Sequence, residues 1–281
     1  MKKIALLTTE NLGDHILDED RLEKALENYS DVRSEYLPWS SDANWSDYDM
    51  VVIRTTWDYT QKHKEFLKAL NKISQSGAKL FNSYELVSWN VDKIYLRTLS
   101  EKGVSTVESL YFDEPDFIEK AKSFKSDRFI VKPRIGASSE GINFVNLSEL
   151  ESIQKVHAEK QTHFVQPFIK EIHQGECSYF FFNGEYKYAI RKTPKDGDFR
   201  VQEEYGGIIT VHEPGEQELK EANKTVDAVE EFKPLYLRVD AVLTEQGQWK
   251  LMELEAIEPS MFFRVVSNSA EDFAKAMLER L

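Results

Sequence analysis

Two apolar-rich strands joined by a short polar loop, between Leu235 and Phe263, constrain the fold more than any other stretch. The loop is residues 245–248, and pairing Thr244 with Trp249 across it fixes the register of the whole hairpin. Because side chains alternate along a strand, four charged residues then fall on one face. These residues are Arg238, Asp240, Glu253 and Glu255, with Asp240 opposite Glu253 and Arg238 opposite Glu255.

Three carboxylates at this spacing repel one another strongly unless a cation lies between them. Oxygen ligands suit a hard ion, so Asp240, Glu253 and Glu255 predict a Mg²⁺ site, with Mn²⁺ as an alternative ion. The opposite face of the hairpin is apolar, so we expect it to pack in a hydrophobic core. Its residues are Leu235, Leu237, Val239, Met252 and Leu254. For the hairpin taken alone, the alternative interpretation is a solvated polar face with a cross-strand salt bridge.

The composition indicates a globular chain large enough for two domains: 281 residues, 41% apolar and 12% aromatic. Its single cysteine, Cys177, excludes an internal disulfide and fits a reducing compartment. The apolar run after the N-terminal lysines is too short for a signal peptide, and no stretch approaches the roughly 18 apolar residues of a membrane span. We therefore expect a cytoplasmic protein without a membrane partner.

Residues 1–83 predict a small parallel α/β domain, because strand and helix patterns alternate along them. The expected strands are 3–7, 48–53 and 78–81, and the expected helices are 18–28 and 66–73. No GxGxxG sequence follows the first strand, which argues against a dinucleotide-dependent dehydrogenase.

Ligands of parallel sheets bind just beyond the carboxyl ends of strands, where Arg54, Trp57 and Asp58 follow the second predicted strand. A guanidinium, an indole and a carboxylate there could clamp a zwitterionic, amino-acid-like substrate. The alternative is that Trp57 belongs to the core and Arg54 pairs with Asp58.

The chain has a formal charge of −13 and so lacks the excess of basic residues that is typical of nucleic-acid-binding proteins. Any anionic ligand therefore needs a local group of cations. Lys93 is one candidate, in the first turn of a helix expected over residues 84–103 with Asn90 as its N-cap. A cation there opposes the helix dipole, which suggests a nearby anion, although an exposed lysine is the alternative.

Lys132 is a second candidate, because it ends a strand and precedes a loop of small residues, 133–141. The loop contains Ser138 and Ser139, and its backbone N–H groups could approach phosphate oxygens. It lacks the Gly-Lys-Ser/Thr of a P-loop, and an ordinary flexible hairpin is the other interpretation.

A proline-interrupted strand and a hairpin follow. Around Pro167 the strand edge at residues 166–169 has free backbone groups that an adenine edge could use. Pairing Phe182 with Glu185 across the Asn183-Gly184 turn puts Glu176 opposite Arg191. The polar loop that follows contains Arg200 and either closes over phosphates or is merely solvated.

These pieces, in this order, resemble the ATP-grasp superfamily over residues 84–265. The chain is similar to prokaryotic glutathione synthetase, and at Arg238–Asp240 and Met252–Ser260 it looks closer to a bacterial branch that contains the cyclo-ligase of D-cycloserine biosynthesis. One departure is Glu255, where many members have Asn; glutamate keeps an oxygen ligand, but transfer of the glutathione enzyme's substrate is put in doubt.

The resemblance implies an α/β (α+β) ATP-grasp fold. It consists of a pre-ATP-grasp substrate domain (1–83), a central or lid subdomain (84–165) and a C-terminal subdomain with the metal site (166–281). The last two would sandwich ATP between them. A homo-oligomer is compatible with such a fold.

The resemblance also implies an ATP-dependent carboxylate–amine ligase that works through an acyl phosphate, with small amino-acid-like carboxylate and amine substrates. Lys93, Lys132, Ser138 and Ser139 would contact phosphates, Gln166, Pro167, Phe168 and Ile169 adenine, and Glu176 ribose. Asp240, Glu253 and Glu255 would hold two metal ions, while Arg238, Arg191 and Arg200 would stabilise the transferring phosphoryl group or the acyl phosphate. The alternatives are a non-catalytic nucleotide- or peptide-binding module and a phosphotransferase on the same scaffold.

Overall fold

Three β-sheets, each built from a separate part of the chain, form the framework of the protein. The computed structural model describes residues 1–13, 16–124, 126–137, 141–157 and 159–281. Within these residues, no helix combines the length and the apolar character needed to cross a bilayer.

The first sheet is parallel and has the strand order β2-β1-β3-β4. Its elements are β1 (Lys2–Thr8), α1 (Glu19–Glu27), β2 (Val32–Pro38), β3 (Met50–Thr55), α2 (His63–Ser74) and β4 (Lys79–Phe81). The sequence predicted three strands and missed β2, because this edge strand is half-exposed and carries alternating polar residues.

The second sheet is antiparallel, in the order β5-β8-β6-β7. Two short helices precede it, α3 (Tyr84–Asn90) and α4 (Tyr95–Glu101), instead of the one predicted over 84–103. The remaining elements are β5 (Leu110–Tyr111), α5 (Phe117–Ser123), β6 (Arg128–Pro133), β7 (Asn143–Asn146), α6 (Leu150–His157) and β8 (His163–Pro167).

The third sheet is antiparallel, in the order β11-β10-β9-β12-β13. Its elements are β9 (Glu176–Phe182), β10 (Glu185–Thr193), β11 (Ile208–His212), α7 (Glu216–Asp227), β12 (Tyr236–Leu243), β13 (Trp249–Glu255) and α8 (Ser269–Leu278). One face of this sheet packs with α3, α4 and α7, and the other packs with α1, α8 and the first sheet. The third sheet is therefore the centre of the molecule.

The β12–β13 hairpin pairs Asp240 with Glu253 and Arg238 with Glu255, as the sequence predicted. The turn itself is one residue longer than predicted, since Leu243 rather than Thr244 pairs with Trp249. A bulge between residues 240 and 241 restores the register, leaving Met252 without a ladder partner. Met252 is half-buried and lines a cavity, so its predicted place on the core face was wrong.

Two buried asparagines fasten this hairpin to the segment that follows the first sheet. The Asn82 side chain donates to the carbonyls of Tyr236 and Ala256, both at 2.8 Å, and accepts from the Leu235 amide. Asn90 donates to the Leu254 carbonyl and accepts from the Ala256 amide. Asn90 therefore ends α3 and clamps a strand, which corrects its predicted role as a helix N-cap.

We predict that Asn82→Leu lowers the free energy of unfolding by about 2–5 kcal/mol, because one amide and two carbonyls would lose their partners in a buried setting. Urea denaturation followed by circular dichroism measures this loss. Asn223→Ala is the matched control, since its amide bonds a single carbonyl on an exposed helix face, and we expect a change within about 0.5 kcal/mol. Equal effects of the two substitutions would contradict the clamp.

Candidate active site

A cavity lies between the second and third sheets and extends to the carboxyl edge of the first. Its walls include Lys93, Lys132, residues 166–169, Glu176, Lys192 and Arg200. Its floor is the charged face of β12–β13, and Trp57, Tyr59 and Glu258 line the end towards the first sheet.

The floor contains a network of buried charges around Asp240. Ser178 Oγ donates to Asp240 Oδ1 at 2.6 Å, Arg238 contacts both carboxylate oxygens, and Lys192 Nζ lies 3.3 Å from Oδ2. Lys192 also pairs with Glu176, directly across the β9–β10 ladder. Burial alone would raise the pKa of Asp240, but Arg238 and Lys192 outweigh it and hold that pKa well below its usual range.

The two carboxylates of β13 are held by cations from different elements. Lys93 Nζ lies 3.0 Å from Glu253 Oε1, and Arg238 pairs with Glu255. Burial raises the pKa of Glu255 to about 7; Arg238 opposes this shift, while the charges of Asp240 and Glu253 add to it. The folded protein therefore disfavours the charged form of this carboxyl group, and a further cation would stabilise that form.

The floor fits a divalent metal ion in its donor chemistry. Asp240, Glu253 and Glu255 offer only oxygen ligands on one face of the hairpin, and the raised pKa of Glu255 indicates excess negative charge there. Arg238 and Lys93 now occupy positions between these carboxylates, so a bound metal would replace their contacts.

Lys132 is a largely buried cation on the cavity wall with no ion pair or hydrogen bond from its amine to any residue that the structure describes. Burial lowers its pKa, which favours an anionic ligand at this position. Lys93 Nζ also donates to the carbonyl of Gly136, in the small-residue loop, at 2.6 Å. Ser138 and Ser139 of that loop lie outside the described residues.

The predicted adenine segment lies on the cavity wall as a strand end. Gln166, Pro167, Phe168 and Ile169 all line the cavity. The Gln166 side chain donates to Ser109 Oγ, and the Phe168 amide donates to the Arg128 carbonyl. The Phe168 N–H is thus engaged within the protein, which directs an adenine edge to the other backbone groups of the segment.

The loop between β10 and β11 covers the cavity and contacts the second sheet on one side and the segment after β13 on the other. The ring of Phe199 packs edge-on against Phe144 of β7, with centroids 4.7 Å apart. Arg200 lines the cavity and is held by Asp198 and the ring of Tyr205. On the other side, Arg264 pairs with Glu203 and with Asp18 of the first domain.

Arg191 lies on the wrong face of the third sheet for its predicted role. A register shift between Tyr186 and Tyr188 pairs Glu176 with Lys192, and Arg191 with Cys177. Arg191 therefore points away from the cavity, towards His212. Lys192 is the cavity residue that sequence reasoning missed, because Tyr188, Ala189 and Ile190 are all apolar and their pattern does not show which face of β10 each residue occupies.

Arg54 and Asp58 also lie outside the cavity, contrary to the prediction of a substrate clamp. Arg54 is only 1% exposed and forms two hydrogen bonds with Glu19, not with Asp58. Asp58 accepts from Trp39 Nε1 at 2.7 Å and faces a separate surface depression. Of the three predicted residues, Trp57 alone lines the cavity.

Cys177, His212 and Glu218 have ligand atoms within 4.8 Å of one another behind the sheet. His212 already shares a hydrogen bond with Glu218 at 2.8 Å, and Glu218 also accepts from Tyr179. The guanidinium of Arg191 next to this group opposes a metal cation. The group is therefore a satisfied polar cluster.

Comparison with known families identifies the class. Residues 4–82 match the family model of the D-cycloserine synthetase DcsG N-terminal domain, and residues 93–262 match the ATP-grasp domain of prokaryotic glutathione synthetase. The second match covers more than half of the chain. The protein therefore belongs to the ATP-grasp family and is an ATP-dependent ligase that forms carbon–nitrogen bonds. Proteins of this family use ATP and divalent metal ions.

Individual relatives agree with this assignment. The chain is 26% identical to the cycloserine biosynthesis protein DcsG of Streptomyces lavendulae, over 89% of both chains. A crystal structure of D-cycloserine synthetase DcsG superimposes with a TM-score of 0.85 at 25% identity, covering 99% of each chain. D-alanine–D-alanine ligase from Bacillus anthracis shares the fold, with a TM-score of 0.68, 16% identity and coverage of 99% and 97%.

We predict that Lys192→Met lowers the free energy of unfolding by about 3–5 kcal/mol at neutral pH, because Glu176 loses its cation and Asp240 loses one of two. Lys187→Met on the same strand is the matched control. Its amine pairs with the exposed Glu185, so we expect at most about 1 kcal/mol. Urea unfolding of both variants tests the difference, and a Lys192→Met protein as stable as the control would show that the network does not need this lysine.

Proposed function

We propose that the protein is a carboxylate–amine ligase that activates a small amino-acid-like carboxylate as an acyl phosphate and passes it to an amine. The observation that carries this proposal is the floor of the cavity, where Arg238 bridges Asp240 and Glu255 beside the lysines of the walls. Such a dense set of opposed charges suits a reaction that transfers a phosphoryl group.

In the first step, a substrate carboxylate oxygen attacks the γ-phosphorus of ATP, the bond to the β-phosphate oxygen breaks, and ADP leaves. Lys93, Lys132 and Lys192 would hold the phosphates, and the 166–169 segment and Glu176 would hold the nucleoside. A divalent ion on Asp240, Glu253 and Glu255 would neutralise phosphate charge when bound.

In the second step, the amine nitrogen attacks the acyl carbon, the carbon–oxygen bond to phosphate breaks, and the nitrogen loses a proton. Arg238 lies on the floor with Nη1 on the Ser260 carbonyl, where it would stabilise the oxyanion of this step. Arg200 and the loop that carries it would exclude water from the acyl phosphate, which water would otherwise hydrolyse.

The substrate class is inferred from a relative of this chain. The relative DcsG is described as a protein of cycloserine biosynthesis, which supports a small amino-acid-like substrate for this chain. The proposal covers both joining of two molecules and ring closure within one.

We predict that ATP is converted to ADP and phosphate only when the carboxylate and the amine, separate or within one molecule, are supplied. A panel of amino acids and simple amines, read by coupled ADP detection, checks this. AMP as a product would contradict the acyl-phosphate route, and a phosphorylated product without amide formation would identify a phosphotransferase. Nucleotide binding without turnover on every substrate would identify a binding module.

Glu253→Gln should lower kcat by about 100-fold or more, because it removes one charged ligand from the metal face while keeping the side-chain shape. Glu245→Gln is the matched control, since Glu245 lies in the exposed loop of the same hairpin. We expect wild-type kcat for the control and an unchanged circular dichroism spectrum for both. Full activity of Glu253→Gln would show that this face is ordinary surface.

We also predict that Mg²⁺ raises the melting temperature more at about pH 8 than at about pH 6. The pKa of Glu255 is raised to about 7 in the folded protein. Its contribution to stability is therefore fully present below the unfolded-state pKa of about 4.5 and lost as the pH rises through about 7. Mg²⁺ competes with the proton and restores the loss at higher pH.

Thermal scans with and without Mg²⁺ across this range measure the effect, and Glu255→Gln should abolish its pH dependence. A metal-induced shift that is constant with pH would contradict the role of Glu255.

A further inference from the structure

Glu258 is a buried carboxylate at the end of the cavity near the first sheet. The nearby cations pair with other carboxylates, so none of them pairs with Glu258. Its side chain is 8% exposed and forms no ion pair or hydrogen bond with any other described residue. By contrast, five carboxylates that line the same cavity each have a cationic partner, in the pairs Glu176–Lys192, Asp240–Arg238, Glu253–Lys93, Glu255–Arg238 and Glu203–Arg264.

Holding this carboxylate without a partner is unfavourable for the folded protein. Burial, and then the charge of Glu255, raise the pKa of Glu258 to about 8, while Lys93 opposes the shift. Lys93 already pairs with Glu253, and when phosphates bind, its ammonium group would contact them instead of neutralising Glu258. A ligand that brings a positive group to Glu258 would therefore relieve this cost.

The surroundings of Glu258 favour an organic cation. Trp57 Nε1 donates to the Glu258 carbonyl at 3.2 Å, which places the indole beside the same turn. Tyr59 also lines the cavity, and Glu258 is the charge that acts most strongly on its hydroxyl. Aromatic faces around a carboxylate suit an ammonium group, whereas Mg²⁺ requires several oxygen ligands.

The position of Glu258 relates this site to the reaction. It lies three residues beyond Glu255, and Ser260, two residues further on, is bonded to Arg238 on the cavity floor. A small amino acid whose ammonium contacts Glu258 could thus present its carboxylate towards the floor.

We propose that Glu258, with Trp57 and Tyr59, binds the protonated amino group of the substrate and makes the enzyme specific for amino acids over their des-amino analogues. The inference rests on the proposed function, since it assigns the substrate end of the same cavity. The ammonium is a recognition group and not the nucleophile, because a protonated nitrogen has no free electron pair to attack the acyl carbon.

The test compares binding of matched pairs of compounds. The probes are the D- and L-forms of the common amino acids, each with its des-amino acid, added to the full chain with ADP and Mg²⁺. For the amino acids that bind, thermal shift and calorimetry should show at least a tenfold preference over the des-amino partner, and Glu258→Gln should reduce that preference by about 10–100-fold, the range for loss of a charged hydrogen bond.

Two further measurements separate recognition from a structural effect. Without ligands, Glu258→Gln should melt at the wild-type temperature or higher, because it removes a buried ionisable group that has no cationic partner. Glu203→Gln is the matched control, a cavity carboxylate that already has Arg264 as its partner, and it should retain the wild-type preference for the amino compound.

An unchanged preference in Glu258→Gln overturns the proposal, as does a failure of every amino acid to bind in preference to its des-amino partner. A loss of Mg²⁺ affinity in Glu258→Gln with unchanged amine preference would also overturn it, by identifying a metal ligand. Amine-selective binding that depends on Glu258, but without ADP formation, would support this inference while contradicting the proposed ligase reaction.

Discussion

The structure depends on one constraint: charges buried on a single face of the third sheet must neutralise one another. Arg238, Lys192, Asp240 and Glu176 are each less than a tenth exposed, and none of them could be buried alone without a cost of several kcal/mol. The pairing of β9, β10, β12 and β13 fixes their positions. A shift in the register of any of these strands would therefore separate the paired charges. Such a face is stable without ligands and still holds enough opposed charge to exchange internal partners for phosphates and metal.

The rest of the chain keeps this face at the bottom of a cavity. The side-chain amides of Asn82 and Asn90, in the segment that follows the first sheet, bind backbone carbonyls of the β12–β13 hairpin. Arg264 joins the first domain to the covering loop by pairing with Asp18 and Glu203. These bridges connect parts of the chain that are far apart in sequence, and together they determine which side chains can reach a ligand from more than one sheet.

Much of this arrangement follows from the sequence, and the failures have physical causes. The Asp240–Glu253 and Arg238–Glu255 pairs were predicted correctly because the bulge between residues 240 and 241 compensates for the longer turn, and no sequence pattern reveals either deviation. Arg191 was misplaced because Ala189 and Ile190 are both apolar, so the pattern of β10 does not reveal its bulge. Arg54 was misassigned because its partner, Glu19, lies on a helix 35 residues away, a contact that no local pattern encodes. The roles proposed for individual residues rest on geometry that sequence spacing alone could not supply.

The most direct test of the account is a crystal structure of the protein with ADP and Mg²⁺. We expect oxygens of Asp240, Glu253 and Glu255 at about 2.0–2.2 Å from the metal, with Lys93 and Lys132 on the phosphates and Arg238 released from at least one carboxylate. Nucleotide bound elsewhere, or these carboxylates still paired only with Arg238, Lys192 and Lys93, would contradict it.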